Sequence, residues 1–186
     1  MYKTKKIILC FALCVLIFSL CACGDKSSDN AAIYGETIAG LEDNELFAIV
    51  DTNASSPVLL VTSQVYDDVL GNQAALNCEV YYLVNKEVKN IGTIESMGTA
   101  YPIAYDETGI YAASGHDMQR FEIEESGALK LAEGIFEQFD DSGNATYTMD
   151  KGDETKVITE EEYYAVFEKY NDATIVSFSY GASDTG

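Results

Sequence analysis

Beyond residue 46 the chain alternates short apolar runs with polar, glycine-bearing gaps, a pattern that predicts a protein built mainly from strands. Residues 47–50 and 58–61 are continuous apolar runs of strand length, and the stretch between them, holding Asn53, Ser55 and Pro57, has the composition of a turn. Together they predict a hairpin whose strands are buried on both faces. Residues 63–75 predict a polar loop around Asp67, Asp68, Gly71 and Asn72. From Cys78 onward, strand pairs are expected at 79–84 with 88–94, 101–105 with 110–113, 118–123 with 128–132, and 136–139 with 145–149. Three of the turns carry two acids, then Ser or Thr, then Gly109, Gly127 or Gly143, where glycine is expected to supply a positive φ. The spacing is that of a β-meander with too few strands for a closed propeller.

Helical periodicity is found at the two ends of this region. Ile33, Ile38, Leu41 and Leu46 predict a short helix over 33–46. Near the C-terminus, Thr159 and Glu162 form a capping box, and Tyr163, Val166, Phe167 and Tyr170 follow at i, i+3, i+4 and i+7. That helix is expected to end at Asn171. Residues 173–180 then predict a strand with Val176, Phe178 and Tyr180 on one face. The expected fold is α+β: a mainly antiparallel β-meander sheet with an N-terminal helix and a C-terminal capped helix followed by a final strand. It forms one domain over 33–186, large enough to bury a core without staples.

The first residues read differently. Lys3, Lys5 and Lys6 precede sixteen mostly apolar residues, 7–22, too few for a spanning helix of roughly 20 residues. Leu20, Ala22 and Cys23 match positions −3, −1 and +1 of a bacterial lipobox, with Cys21 unusual at −2. The expectation is a signal peptide over 1–22 and a lipid on Cys23. Residues 24–32 are small, polar and aperiodic, which makes 23–32 a lipidated cysteine and flexible tether. An uncleaved anchor helix and an ordinary secretory signal are the alternatives. The expected location is the extracytoplasmic face of the cell membrane, and Gly24 at +2 suits a single-membrane cell.

Charge narrows the partners. The full chain carries eleven basic and thirty-one acidic residues, a formal charge of −20. Loss of the three N-terminal lysines takes the mature chain to about −23, which repels nucleic acid. Such a charge serves solubility on a crowded surface, or suits a cationic partner or metal ion. Cys78 is the one cysteine left after the signal and the lipid site are set aside. It shares a strand face with Val80, Tyr82 and Val84, which predicts a buried structural thiol.

No complete catalytic constellation is present, and no catalytic residue, metal ligand or cofactor is assigned. Asp140, Ser142 and Asn144 open with calcium-loop spacing, but Ala145 and Lys151 stand where that loop needs Gly and Glu. Asp51, Asn53 and Ser55 fail similarly at Thr62. His116 is the single histidine, without a zinc motif or a Gly-x-Ser-x-Gly elbow. The densest group of functional side chains lies in 96–102 and 114–120. Tyr101, His116 and Arg120 are its candidate ligand rim, although Arg120 in so acidic a chain is expected to pair with a nearby Asp or Glu.

Residues 98–111, with 59–62 and 158–163, resemble lipoproteins of Gram-positive anaerobic bacteria that have no assigned activity. The likeness runs from about residue 33 onward and implies no catalytic residues. The calcium-loop-like segment of that group corresponds here to 51–57, which lacks the glycine. The expected function is a membrane-anchored surface lipoprotein acting as a non-enzymatic binding or accessory module, with an envelope or extracellular protein or a small solute as partner. The alternative is a surface hydrolase using carboxylates, His116 or both within 96–120.

Overall fold

Strands that are apolar on both faces need cover on both faces, and the chain meets this by stacking one antiparallel sheet on another. The computed structural model describes residues 32–180. The expected signal peptide, the expected lipid site at Cys23 and all of the expected tether but its last residue lie outside these residues. Strands β1 (Leu46–Val50), β2 (Val58–Thr62), β5 (Asn77–Val84) and β6 (Glu87–Glu95) form one sheet, with β14 (Ser179–Tyr180) at its edge in the order β14-β1-β2-β5-β6. Strands β7 (Ala104–Asp106), β8 (Gly109–Ala113), β9 (Asp117–Ile123), β10 (Leu129–Phe139), β11 (Ala145–Lys151) and β12 (Glu154–Ile158) form the other. Its order is β12-β11-β10-β9-β8-β7-β13, with β13 (Thr174–Ile175) at the edge. A small hairpin of β3 (Tyr66–Asp67) and β4 (Gln73–Ala74) stands apart. The single meander sheet expected from sequence is therefore corrected to two large sheets and a hairpin.

Three apolar clusters define the layers. Leu60, Val80 and Ile94 of the five-stranded sheet meet Ile110 and Ala112 of the seven-stranded sheet between the two. Behind the first sheet, Tyr34, Ile38 and Leu41 cover Leu59 and Val61. Behind the second, Tyr163 and Tyr170 of α2 (Glu160–Asp172) cover Tyr111, Met118, Ile135 and Met149. No helix among the described residues is long and apolar enough to cross a membrane.

α2 starts where its cap dictates. Thr159 Oγ1 accepts from the Glu162 N–H at 3.2 Å, and the Glu162 carboxylate accepts from the Thr159 N–H at 2.8 Å. At the other end of the domain, the helix expected over 33–46 shrinks to α1 (Gly35–Ala39). Gly35 and Gly40 weaken helix there, and Leu46 is taken into the core as the first residue of β1.

Other departures have equally local causes. The polar loop at 63–75 contains the β3–β4 hairpin, because the Asp68 carboxylate accepts from the N–H groups of Leu70 and Asn72, each at 2.8 Å. The strands expected at 128–132 and 136–139 are one strand, β10, with a register shift between Leu131 and Glu133. β12 was not expected, since four of its five residues are exposed and show no apolar alternation. The final strand breaks into β13 and β14, which belong to different sheets. Val176 N–H donates to Ile103 and Phe178 N–H to Gln73 as the segment crosses between them. Tyr101 precedes its expected strand, which begins at Ala104.

The three turn glycines also divide. Gly127 and Gly143 take positive φ, +84° and +81°, but Gly109 does not. Gly109 is needed for close approach: a Cβ there would lie 2.4 Å from the Phe121 carbonyl oxygen of β9. Gly109→Ala is therefore expected to cost about 2 kcal/mol as β8 and β9 are forced apart. Urea unfolding checks this, and an unchanged midpoint would mean that the strands give way freely.

Candidate functional site

The three residues of the candidate rim sit among separate partners. Tyr101 stacks on α2, its ring 6.0 Å from Phe167 at 79° and 6.1 Å from Tyr170. His116 lies in the β8–β9 turn, where Ser114 Oγ accepts its backbone N–H at 3.1 Å. The His116 Nδ1 is 2.8 Å from Glu137 Oε2, and its ring stands edge-on to Phe139 at 5.6 Å. Arg120, on β9, donates Nη1 to Thr108 O at 2.9 Å and to the Glu122 carboxylate. The expected pairing of Arg120 with an acid is therefore present.

Ser114, His116 and Asp117 are neighbours, but their wiring is not that of a nucleophile and its base. Ser114 Oγ donates to Asp117 Oδ2 at 2.8 Å, while the imidazole bonds Glu137 on another strand. A serine nucleophile must give its proton to the imidazole, and here the hydroxyl proton is directed to a carboxylate. Cys78 is 1 % exposed, and burial pushes its thiol up to about 12, far from thiolate chemistry at neutral pH. Asp140 binds its own turn, accepting from Ser142 N–H at 2.9 Å, Asn144 N–H at 2.8 Å and Asn144 Nδ2 at 2.9 Å. Among the described residues, no group of three or more His, Cys, Asp or Glu is placed to hold a metal ion.

Sequence reasoning missed two features. The first is Glu133, whose side chain is 3 % exposed and lies 2.6 Å from Lys169 Nζ, 3.7 Å from Lys151 Nζ and 4.0 Å from Arg120 Nε. The register shift in β10 makes this possible. Leu129 packs toward the inter-sheet core, whereas Glu133 pairs with Arg120 on the α2 face. Without the extra residue, strict alternation would aim Glu133 between two apolar sheets.

The second is a cleft at the sheet edges. β14 pairs with Leu46 and Phe47 only, so Ala48, Ile49 and Val50 have no strand on their outer side among the described residues. Facing them across a space of about 550 Å³ are Thr174, Ile175 and Ser177 of the crossing segment. A second groove of about 460 Å³ lies against Leu70, Pro102, Tyr170 and Ala173. It is lined by Ala104 of the α2 side and the first by Tyr105 of the inter-sheet side, so the two flank opposite faces of the β7–β13 edge. Asn72, Thr174 and Ile175 line both. Among the described residues, Asp51 is the charged residue lining the pair, and no Lys, Arg or His lines either groove.

Comparison with known proteins finds no match to a family model, a curated protein or a solved structure. The functional reading therefore rests on the sequence and on the geometry of the described residues.

Proposed function

We propose that this chain is a membrane-anchored surface lipoprotein, an α+β domain of the kind found in lipoproteins of Gram-positive anaerobes. It acts as a non-enzymatic binding or accessory module on the extracytoplasmic face. Cys23 carries the lipid, and residues 24–32 tether the domain. The binding element is the cleft between the outer edge of β1 and the segment 174–179. One observation carries this choice: the outer edges of β1 at 48–50 and of β13 border one space of about 550 Å³ with no strand between them among the described residues. Such a recess suits an extracellular protein segment or a solute better than the exposed His116 or the packed Tyr101 and Arg120 do.

The anchor and the cleft are tested separately. Cells expressing the Cys23→Ala protein and fed a fatty-acid analogue should leave it unlabelled and release it from the membrane fraction. Label retained on that variant would sink the anchor. Cleft binding predicts that an added ligand perturbs Phe47, Tyr105 and Ser177 in spectra of the full chain, and perturbation confined to other surfaces would end that reading.

The 2.8 Å His116–Glu137 contact favours the hydrolase as a second reading. An imidazole held by a carboxylate is half of a general-base pair. Turnover of a surface substrate that His116→Ala abolishes would establish it over the binder.

A further inference from the structure

We propose that the occupant of the cleft is an extended, basic peptide segment that adds to β13 as a further strand of the seven-stranded sheet. The inference rests on the cleft reading above and names the partner. Its first support is the backbone. Thr174 and Ile175 pair antiparallel with Tyr105 and Ala104, and Val176 N–H donates to Ile103 O at 3.0 Å. In such a ladder successive residues turn their N–H and C=O alternately toward and away from the neighbouring strand. Val176 points toward β7, so Ile175 presents both its N–H and its C=O outward, at the free edge of the sheet.

The second support is the pair of grooves. Side chains of an added strand point alternately to opposite faces. On one face of β13 they would enter the space lined by Phe47, Ile49 and Tyr105. On the other they would enter the groove lined by Leu70, Pro102 and Tyr170. A small solute would need one recess, whereas two recesses flanking one open edge match the alternation of a strand. β13 is only two residues long, so backbone pairing alone gives little, and the grooves must supply the rest.

Charge sets the chemistry of the peptide. Asp51 lines the first groove, no basic residue among the described residues lines either, and the chain as a whole stands at −20. Lysine or arginine among apolar residues is therefore favoured, and acidic peptides are repelled.

The test uses the full chain in non-ionic detergent and a short fluorescent peptide alternating lysine and valine. The same peptide with glutamate for lysine, and one N-methylated at alternate residues, are the comparisons. The lysine peptide should bind, the glutamate peptide should not, and binding should slow hydrogen exchange at the Ile175 amide. Ile175→Pro removes the outward donor without breaking a bond to β7, so it should weaken binding about tenfold with an unchanged melting temperature. N-methylation should weaken binding to the wild-type chain by a similar factor, a readout that does not depend on any variant folding. Equal binding of the methylated and unmethylated peptides, with no protection at Ile175, overturns strand addition. If Phe47 and Tyr105 still respond in that case, the cleft reading survives; if neither responds, both fall.

Discussion

Replacing Glu133 with alanine is expected to lower the free energy of unfolding by about 2 kcal/mol, less than for a fully buried pair because two of its three cations reach water. Lys169 comes from α2, Lys151 from β11 and Arg120 from β9, so one carboxylate ties the helix to two strands. Without it, Lys169 and Lys151 lose their carboxylate and turn to water, while Arg120 keeps Glu122. Burial alone would raise the Glu133 carboxyl. The hydrogen bond and charge of Lys169, with Lys151 and Arg120 behind it, outweigh burial and hold the group below its ordinary 4.5. The folded state thus binds this proton less readily than the unfolded chain. Its contribution is complete above about pH 4.5 and is lost as pH falls through the depressed folded value. Urea unfolding at about pH 7 and about pH 3 should accordingly show the gap between wild type and Glu133→Gln closing in acid. A gap that held constant or widened would mean that the charge of Glu133 is not what Lys169 recognises.

How much of this was legible in the sequence depends on the range of each interaction. The β1–β2 hairpin was, because every residue of β2 is buried and a run such as 58–61 has no other use. So was α2, whose cap and stripe are both written within a dozen residues. β12 was hidden because an outer strand with exposed residues needs no apolar pattern, only a partner for its backbone. The bulge in β10 was hidden because Gly134 reads as a break, whereas here the Phe136 ring packs against it. Stacking of two sheets is a choice among distant pairings that local alternation does not encode.

The same division holds at the candidate site. Arg120 was expected to find an acid, and it meets Glu122 two residues away. Glu133 gave no such signal, since its closest cation lies on a helix far along the chain. The cleft is further still from local reading. Its walls are β1 near the start of the domain and the segment 174–179 near its end.

The largest loss from a single core truncation is expected at Leu60, where alanine should cost about 4 kcal/mol. Leu60 is 0 % exposed and sits in the middle of β2, opposite Ala48 on β1 and Val80 on β5. Its side chain enters the layer between the sheets with Ile94, Ile110 and Val176. Both walls of that layer are hydrogen-bonded sheets, which limits how far either can move to fill the space left. Leu59 is equally buried but faces the other way, under Tyr34 and the short helix α1. A five-residue helix can settle into a cavity more easily than a sheet can, so Leu59→Ala should cost about 1 kcal/mol less, near 3 kcal/mol. Urea titrations of the two variants should share the wild-type slope and differ in midpoint. If Leu59→Ala proved the more damaging, the weight of the core would lie beneath α1 and not between the sheets, and the sandwich would have to be redrawn around Tyr34.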